Sequence, residues 1–121
     1  VLKRLFRLTS DKDFQTVYRR GRYVASPLFS VNVLPNRLGL TKVGIVVNKK
    51  VSKKAVDRNN VKRQVREIVR LNLSRLTKGQ NIVITTRQPA LSADYKTMER
   101  EILNSFKKLE LFIDENTQKS N

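Results

Sequence analysis

The chain has 121 residues, with 26 Lys/Arg against 10 Asp/Glu, a formal net charge of +16, and neither Cys nor His. That length suits one domain, residues 1–121, with a modest core. Without imidazole or thiolate, hydrolases built on a His base, disulfide frameworks and the usual zinc sites are excluded. An excess of cations this large favours a polyanionic partner over a merely solvated surface. The lack of Cys suits a reducing cytoplasm, where we expect the protein to work. No apolar run approaches the ~20 residues that span a bilayer. The opening VLKRLFRLTS lacks the uninterrupted apolar core of a signal peptide, so no membrane partner is expected.

Residues 1–9 alternate basic and apolar side chains (Lys3, Arg4, Leu5, Phe6, Arg7, Leu8) and read as a basic arm, either anchored through Leu and Phe or mobile. Ser10 is placed to cap a short helix with Asp11 and Asp13 in its first turn, where the helix dipole favours negative charge. Phe14, Val17 and Tyr18 follow at helical spacing and Gly21 ends the helix. By spacing alone, Phe14 and Tyr18 are core residues. A short strand is expected within Arg20–Ala25. Leu28–Leu34 alternates as a strand, with Phe29, Val31 and Val33 on one face and Ser30 and Asn32 on the other. Lys42–Asn48 is a second β-branched strand, expected to pair antiparallel with the first across the turn at Pro35, Asn36, Arg37 and Gly39.

The stretch Lys49–Arg70 then holds nine Lys/Arg against two acids. From Asp57 to about Leu76 it is periodic at 100° per residue. Val61, Val65, Ile68, Val69, Leu73 and Leu76 form an apolar arc, and Asn59, Lys62, Arg63, Arg66 and Arg70 lie on the arc beside it. One face can pack on a sheet while its flank carries a column of cations. Asn81–Thr86 is a further strand, parallel to Lys42–Asn48 by the logic of a strand–helix–strand unit. Ser92 is placed to cap a last helix with Tyr95, Met98, Ile102, Phe106 and Leu109 on one stripe. Residues 112–121 turn polar and are expected to fray. The fold class is therefore α+β: a two-layer sandwich of a small mixed four-stranded sheet packed with helices, with a βαβ crossover.

A basic chain invites comparison with nucleases, whose two-metal sites need converging carboxylates. The ten acids here are scattered, and no Gly-rich phosphate loop is present. The chain is expected to carry no catalytic residue and no metal of its own. Arginine forks to two phosphate oxygens and stacks on unpaired bases, and Asn59 adds an amide for a base edge or 2′-OH, so the helix reads as an RNA-binding element.

The string KKVSKKAVDRNNVKRQVRE resembles the signature of the bacterial ribonuclease P protein component: Arg58-Asn59-Asn60-Val61-Lys62-Arg63, then Arg66 and Glu67. Asp13-Phe14 with Val17 and Gly21, Val43-Gly44-Ile45 with Lys49-Lys50, and the strand Asn81–Thr86 extend the likeness over roughly residues 5–110. The resemblance implies a left-handed crossover, against the usual right-handed rule. It implies a non-catalytic subunit that binds the ribonuclease P catalytic RNA and the 5′ leader of precursor tRNA, with Mg²⁺ held by the RNA and no obligate protein partner. Lys49, Lys50, Arg58, Asn59, Lys62, Arg63, Arg66 and Arg70 then face RNA. Phe14 and Tyr18 wall a leader cleft floored by Ser30, Asn32, Val46 and Asn48. Asn60 stands where the family usually has a second Arg, and Asn32 where some members have an aromatic. The competing reading is a structural ribosomal RNA-binding protein, which needs the charge but not an aromatic-walled cleft. A DNA-binding helix lacks helix-turn-helix spacing, and a membrane-surface helix would not need so well-covered an apolar stripe.

Overall fold

In a computed structural model of the chain, which describes residues 2–113, a four-stranded mixed sheet divides two apolar clusters. Its strands are β1 (Arg22–Ala25), β2 (Phe29–Pro35), β3 (Lys42–Val46) and β4 (Gln80–Thr86), in spatial order β1-β2-β4-β3. β4 runs antiparallel to β2 and parallel to β3. Three helices complete the expected α+β sandwich: α1 (Asp11–Arg20), α2 (Ala55–Asn72) and α3 (Tyr95–Lys108). None of the described helices is long and apolar enough to cross a membrane.

The inward faces follow the sequence periods. Phe29, Val31 and Val33 of β2 alternate into the main core, where they meet Val65, Ile68 and Val69 of α2 and Ile102 and Phe106 of α3. The apolar arc expected of α2 is buried at Val61, Val65, Ile68 and Val69, with Leu76 buried beyond a closing 3₁₀ turn at Leu73–Arg75. On the opposite sheet face, Val17 of α1 packs with Val83 and Leu8. Ser10 caps α1 as expected, its Oγ accepting from the Asp13 N–H at 3.4 Å. Gly21 ends that helix in a tight space, where a Cβ would lie 2.5 Å from the Val17 carbonyl oxygen and 2.7 Å from that of Val33.

Two expectations need correction. β2 and β3 are not hairpin partners, because β4 lies between them. Ile82, Val83 and Ile84 are all fully buried, and a strand apolar on both faces is most stable in the middle of a sheet. The connection between β2 and β3 is also wide rather than tight, with Arg37 and Gly39 at positive φ. Asn36 ties it to the start of β4: its Nδ2 donates to Asn81 Oδ1 at 2.8 Å and its N–H to the Gly79 carbonyl at 2.8 Å.

The cap of α3 is Asp94 rather than Ser92. Pro89 opens a 3₁₀ turn over Gln88–Ser92 that consumes Ser92, and Asp94 Oδ1 accepts from the Thr97 N–H at 2.8 Å. Hydrogen bonds from Thr97, side chain first and then backbone, hold the Asp94 carboxyl below its ordinary value. A depressed folded pKa means the cap contributes fully above the unfolded pKa and is lost as pH falls through the folded one. An Asp94→Asn variant, which caps at every pH, should therefore lose less Tm on acidification than the parent. Parallel losses would show that the cap does not titrate with stability.

Both ends of the described chain are docked. Leu2 and Leu8 are buried, and the Leu8 N–H donates to the Val43 carbonyl at 2.9 Å, so the basic arm is anchored along the edge of β3. Residues 112–121 do not fray from their start: Phe112 is buried, bridges Leu76, and lies under the Arg75 guanidinium at 4.6 Å. Residues 114–121 lie outside the described residues.

Candidate RNA interface

Helix α2 presents its cations on the flank beside the buried arc. Asn59, Arg63 and Arg70 are exposed, and Lys62 and Arg66 are half-buried at the helix shoulder. Arg63 Nη2 donates to Asn60 Oδ1 at 3.4 Å, so Asn60 helps orient the cation three residues on. Two further members of the predicted set have partners within the protein. Arg58 Nη1 donates to the Ser52 carbonyl at 2.7 Å and braces the turn before the helix. Arg70 forks to Glu67, with Nε donating to Oε2 at 3.0 Å. Exposed pairs of this kind contribute little to stability, but each ties down a guanidinium.

One cation escaped the sequence reading. Arg7 pairs alongside Val43, and its Nε donates to the Leu2 carbonyl at 2.9 Å. This places its charge near Arg66, whose pKa is pulled below the ordinary value by burial and then by the Arg7 charge. Guanidinium remains charged despite such shifts. Two like charges crowded at a surface are poised for an anion between them. Only docking of the arm onto the β3 edge brings Arg7 there, and nothing in its local sequence signals it.

The second surface is the sheet face that α1 leaves open. Strand register places Tyr23, Asn32, Val83 and Gly44 in one cross-strand row, and Ala25, Ser30, Thr85 and Val46 in the next. The Phe14 ring lies directly on Gly44, where a Cβ would meet Cζ at 2.4 Å. Phe14 thus packs partly into the smaller core, while Tyr18 is 42% exposed with its ring centroid 6.5 Å from that of Phe14. Ser30 and Val46 are half-buried and Asn32 is buried. Tyr23, 62% exposed, and Thr85 belong to the same face and were missed, because their register depended on strand pairing. Asn48 lies past the end of β3, where its Oδ1 accepts from the Lys50 N–H at 3.0 Å. That bond shapes the turn carrying Lys49 and Lys50, both exposed. The two surfaces therefore meet at residues 48–54, which join the end of the cleft floor to the start of the basic helix.

The sequence matches the ribonuclease P family profile over residues 2–110. The chain belongs to the ribonuclease P protein family. The ribonuclease P protein component of Clostridium botulinum is 36% identical over 107 residues, covering 88% of this chain and 96% of that one. The solved ribonuclease P protein of Staphylococcus aureus superposes with a TM-score of 0.82 at 30% identity, covering 88% of this chain and 97% of that chain. That of Thermotoga maritima gives 0.77 at 33% identity, over 84% and 96% of the two chains. Membership places the chain in tRNA processing and favours that role over a structural ribosomal protein. Among the described residues, no three acidic side chains converge as a metal-holding group.

Proposed function

We propose that this chain is the RNA-gripping subunit of a cytoplasmic ribonuclease P in which the RNA subunit does the chemistry. Lys62, Arg63 and Arg66 of α2, with Arg7 from the arm and Lys49 and Lys50 from the preceding turn, seat on phosphates of the catalytic RNA. The single-stranded 5′ leader of precursor tRNA runs between α1 and the sheet. Its bases stack on Tyr18 and Tyr23, and Ser30, Asn32 and Thr85 offer polar contacts from the floor. Stacking suits a cleft that accepts many leader sequences, because every base has a π-face. The observation that carries the reading is the junction of the two surfaces at residues 48–54, which lets one protein hold substrate and RNA side by side. When bound by the RNA, Mg²⁺ would supply nucleophile activation and charge stabilisation. Among the described residues the carboxylates do not gather to hold such an ion, and the role of this chain is to bind and orient.

The test is precursor-tRNA cleavage at low Mg²⁺ with the purified chain and the catalytic RNA. No cleavage is expected from the protein alone, and strong protein dependence with RNA present. Cleavage by the isolated protein would remove the chemistry from the RNA. Tyr18→Ala should weaken binding of leader-bearing substrate by about 1–3 kcal/mol, the worth of one stacked base. The loss should vanish when the leader is trimmed away. A loss that persists without a leader would place Tyr18 outside the cleft's function.

A further inference from the structure

At the far end of α2 from residues 48–54 lies a cleft of about 590 Å³ between the N-terminal arm, the β2–β3 connection and the 3₁₀ turn that closes the helix. Its lining is mainly apolar, with Leu5, Phe6 and Leu73 among its walls, Ser74 offering a hydroxyl, and Arg70 and Lys78 supplying cations. Leu5 is 59% exposed, so the cleft opens to solvent with an apolar lip. We infer that this cleft takes an unpaired nucleotide of the RNA subunit, its base against Phe6 and Leu73 and its phosphate near Lys78. The inference rests on the reading of α2 as the RNA-subunit interface and extends it.

Three observations select this occupant. The cleft is continuous with the cationic flank, because Arg70 belongs to both. RNA following the column from Arg63 past Arg66 reaches the cleft mouth within two helical turns. Its charge suits RNA: Lys78 lines it together with the Glu67-paired Arg70, and no acidic side chain is part of the lining. Its chemistry also fits an unstacked base, which needs a flat apolar wall, an aromatic ring and a few hydrogen-bonding groups at the edge. A duplex has no such projection, so the ligand is a bulged or loop nucleotide. The cleft would then add a contact that depends on RNA shape to a helix flank that otherwise reads charge.

The test uses the full chain with the ribonuclease P RNA of the same organism. Leu5→Asn and Phe6→Leu both keep the charge. Leu5 is exposed, so its variant folds, and a thermal melt checks the second. Each should weaken RNA binding about tenfold, on the scale of one stacked base, with the salt dependence unchanged. A benzophenone amino acid in place of Ser74 should crosslink to one unpaired nucleotide. Undiminished affinity in the Leu5→Asn variant, while Arg63→Ala still weakens binding, overturns the cleft but keeps the helix interface. Crosslinks to duplex RNA, to a second copy of the chain or to its own C-terminal residues also overturn it. If Arg63→Ala is without effect as well, the RNA-subunit interface itself fails.

Discussion

Raising monovalent salt from about 50 to about 200 mM should weaken binding to the catalytic RNA by roughly 10³-fold. The physical basis is release of counterions from each neutralised phosphate, which gives a log–log slope of about −0.9 per contact on duplex and −0.7 on single strands. Six cations can make such contacts: Lys49, Lys50, Lys62, Arg63, Arg66 and Arg7. Of these, Arg63 and Arg7 keep N–H groups beyond the one each gives to Asn60 and to the Leu2 carbonyl. Arg58, half-buried against Ser52, and Arg70, forked to Glu67, are left out of the six. Six contacts give a slope of roughly −4 to −5. Arg63→Ala should flatten that slope by just under one and weaken binding at every salt concentration. A titration by filter retention or fluorescence anisotropy measures both. A slope near zero would mean that the column is only a solvated face.

Gly21→Ala should lower stability by about 3 kcal/mol and Tm by roughly 10 °C. Both atoms that a methyl group would strike are backbone carbonyl oxygens, Val17 at the end of α1 and Val33 in the central part of β2. Neither can yield without moving a helix end or a strand, so the cost falls on the seating of α1 against the sheet. Gly44→Ala makes a useful contrast. There the obstruction is the tip of the Phe14 ring, which can swing aside. Its stability loss should be smaller, yet it should disturb leader binding, because Phe14 is the ring neighbour of Tyr18. Thermal melts and leader-binding assays on the two variants separate these effects. Equal Tm losses would show that the Gly21 site is softer than its geometry indicates.

The sequence made the helices most legible. The 100° periodicity of α2 placed both the buried arc and the cationic flank, since side-chain direction on a helix depends only on spacing. The order of the strands was not legible in the same way. β2 and β3 follow one another and invite a hairpin, but pairing is decided by which strand needs cover on both faces. The apolar run Ile82-Val83-Ile84 carried that information, and it outweighs proximity in the chain. That error hid Thr85, which pairs with both Ser30 and Val46, whereas Tyr23 depended on the register of β1 against β2. The N-cap of α3 shows a smaller version of the difficulty. Ser92 and Asp94 are both good caps, and Pro89 decides between them by starting a separate turn. Arg7 was hidden because tertiary docking brings it to its neighbour.

The short link at residues 48–54 fixes more than a direction of the chain. Asn48 holds the Lys50 N–H, and Arg58 reaches back to the Ser52 carbonyl, so the link is cross-tied at both ends. In the proposed complex the protein then acts as a caliper. One jaw grips the substrate strand upstream of the cut, the other rests on the ribozyme, and the span between them does not vary with sequence. Such a device selects the scissile phosphate by distance from a fixed anchor, so neither jaw needs to read a single base.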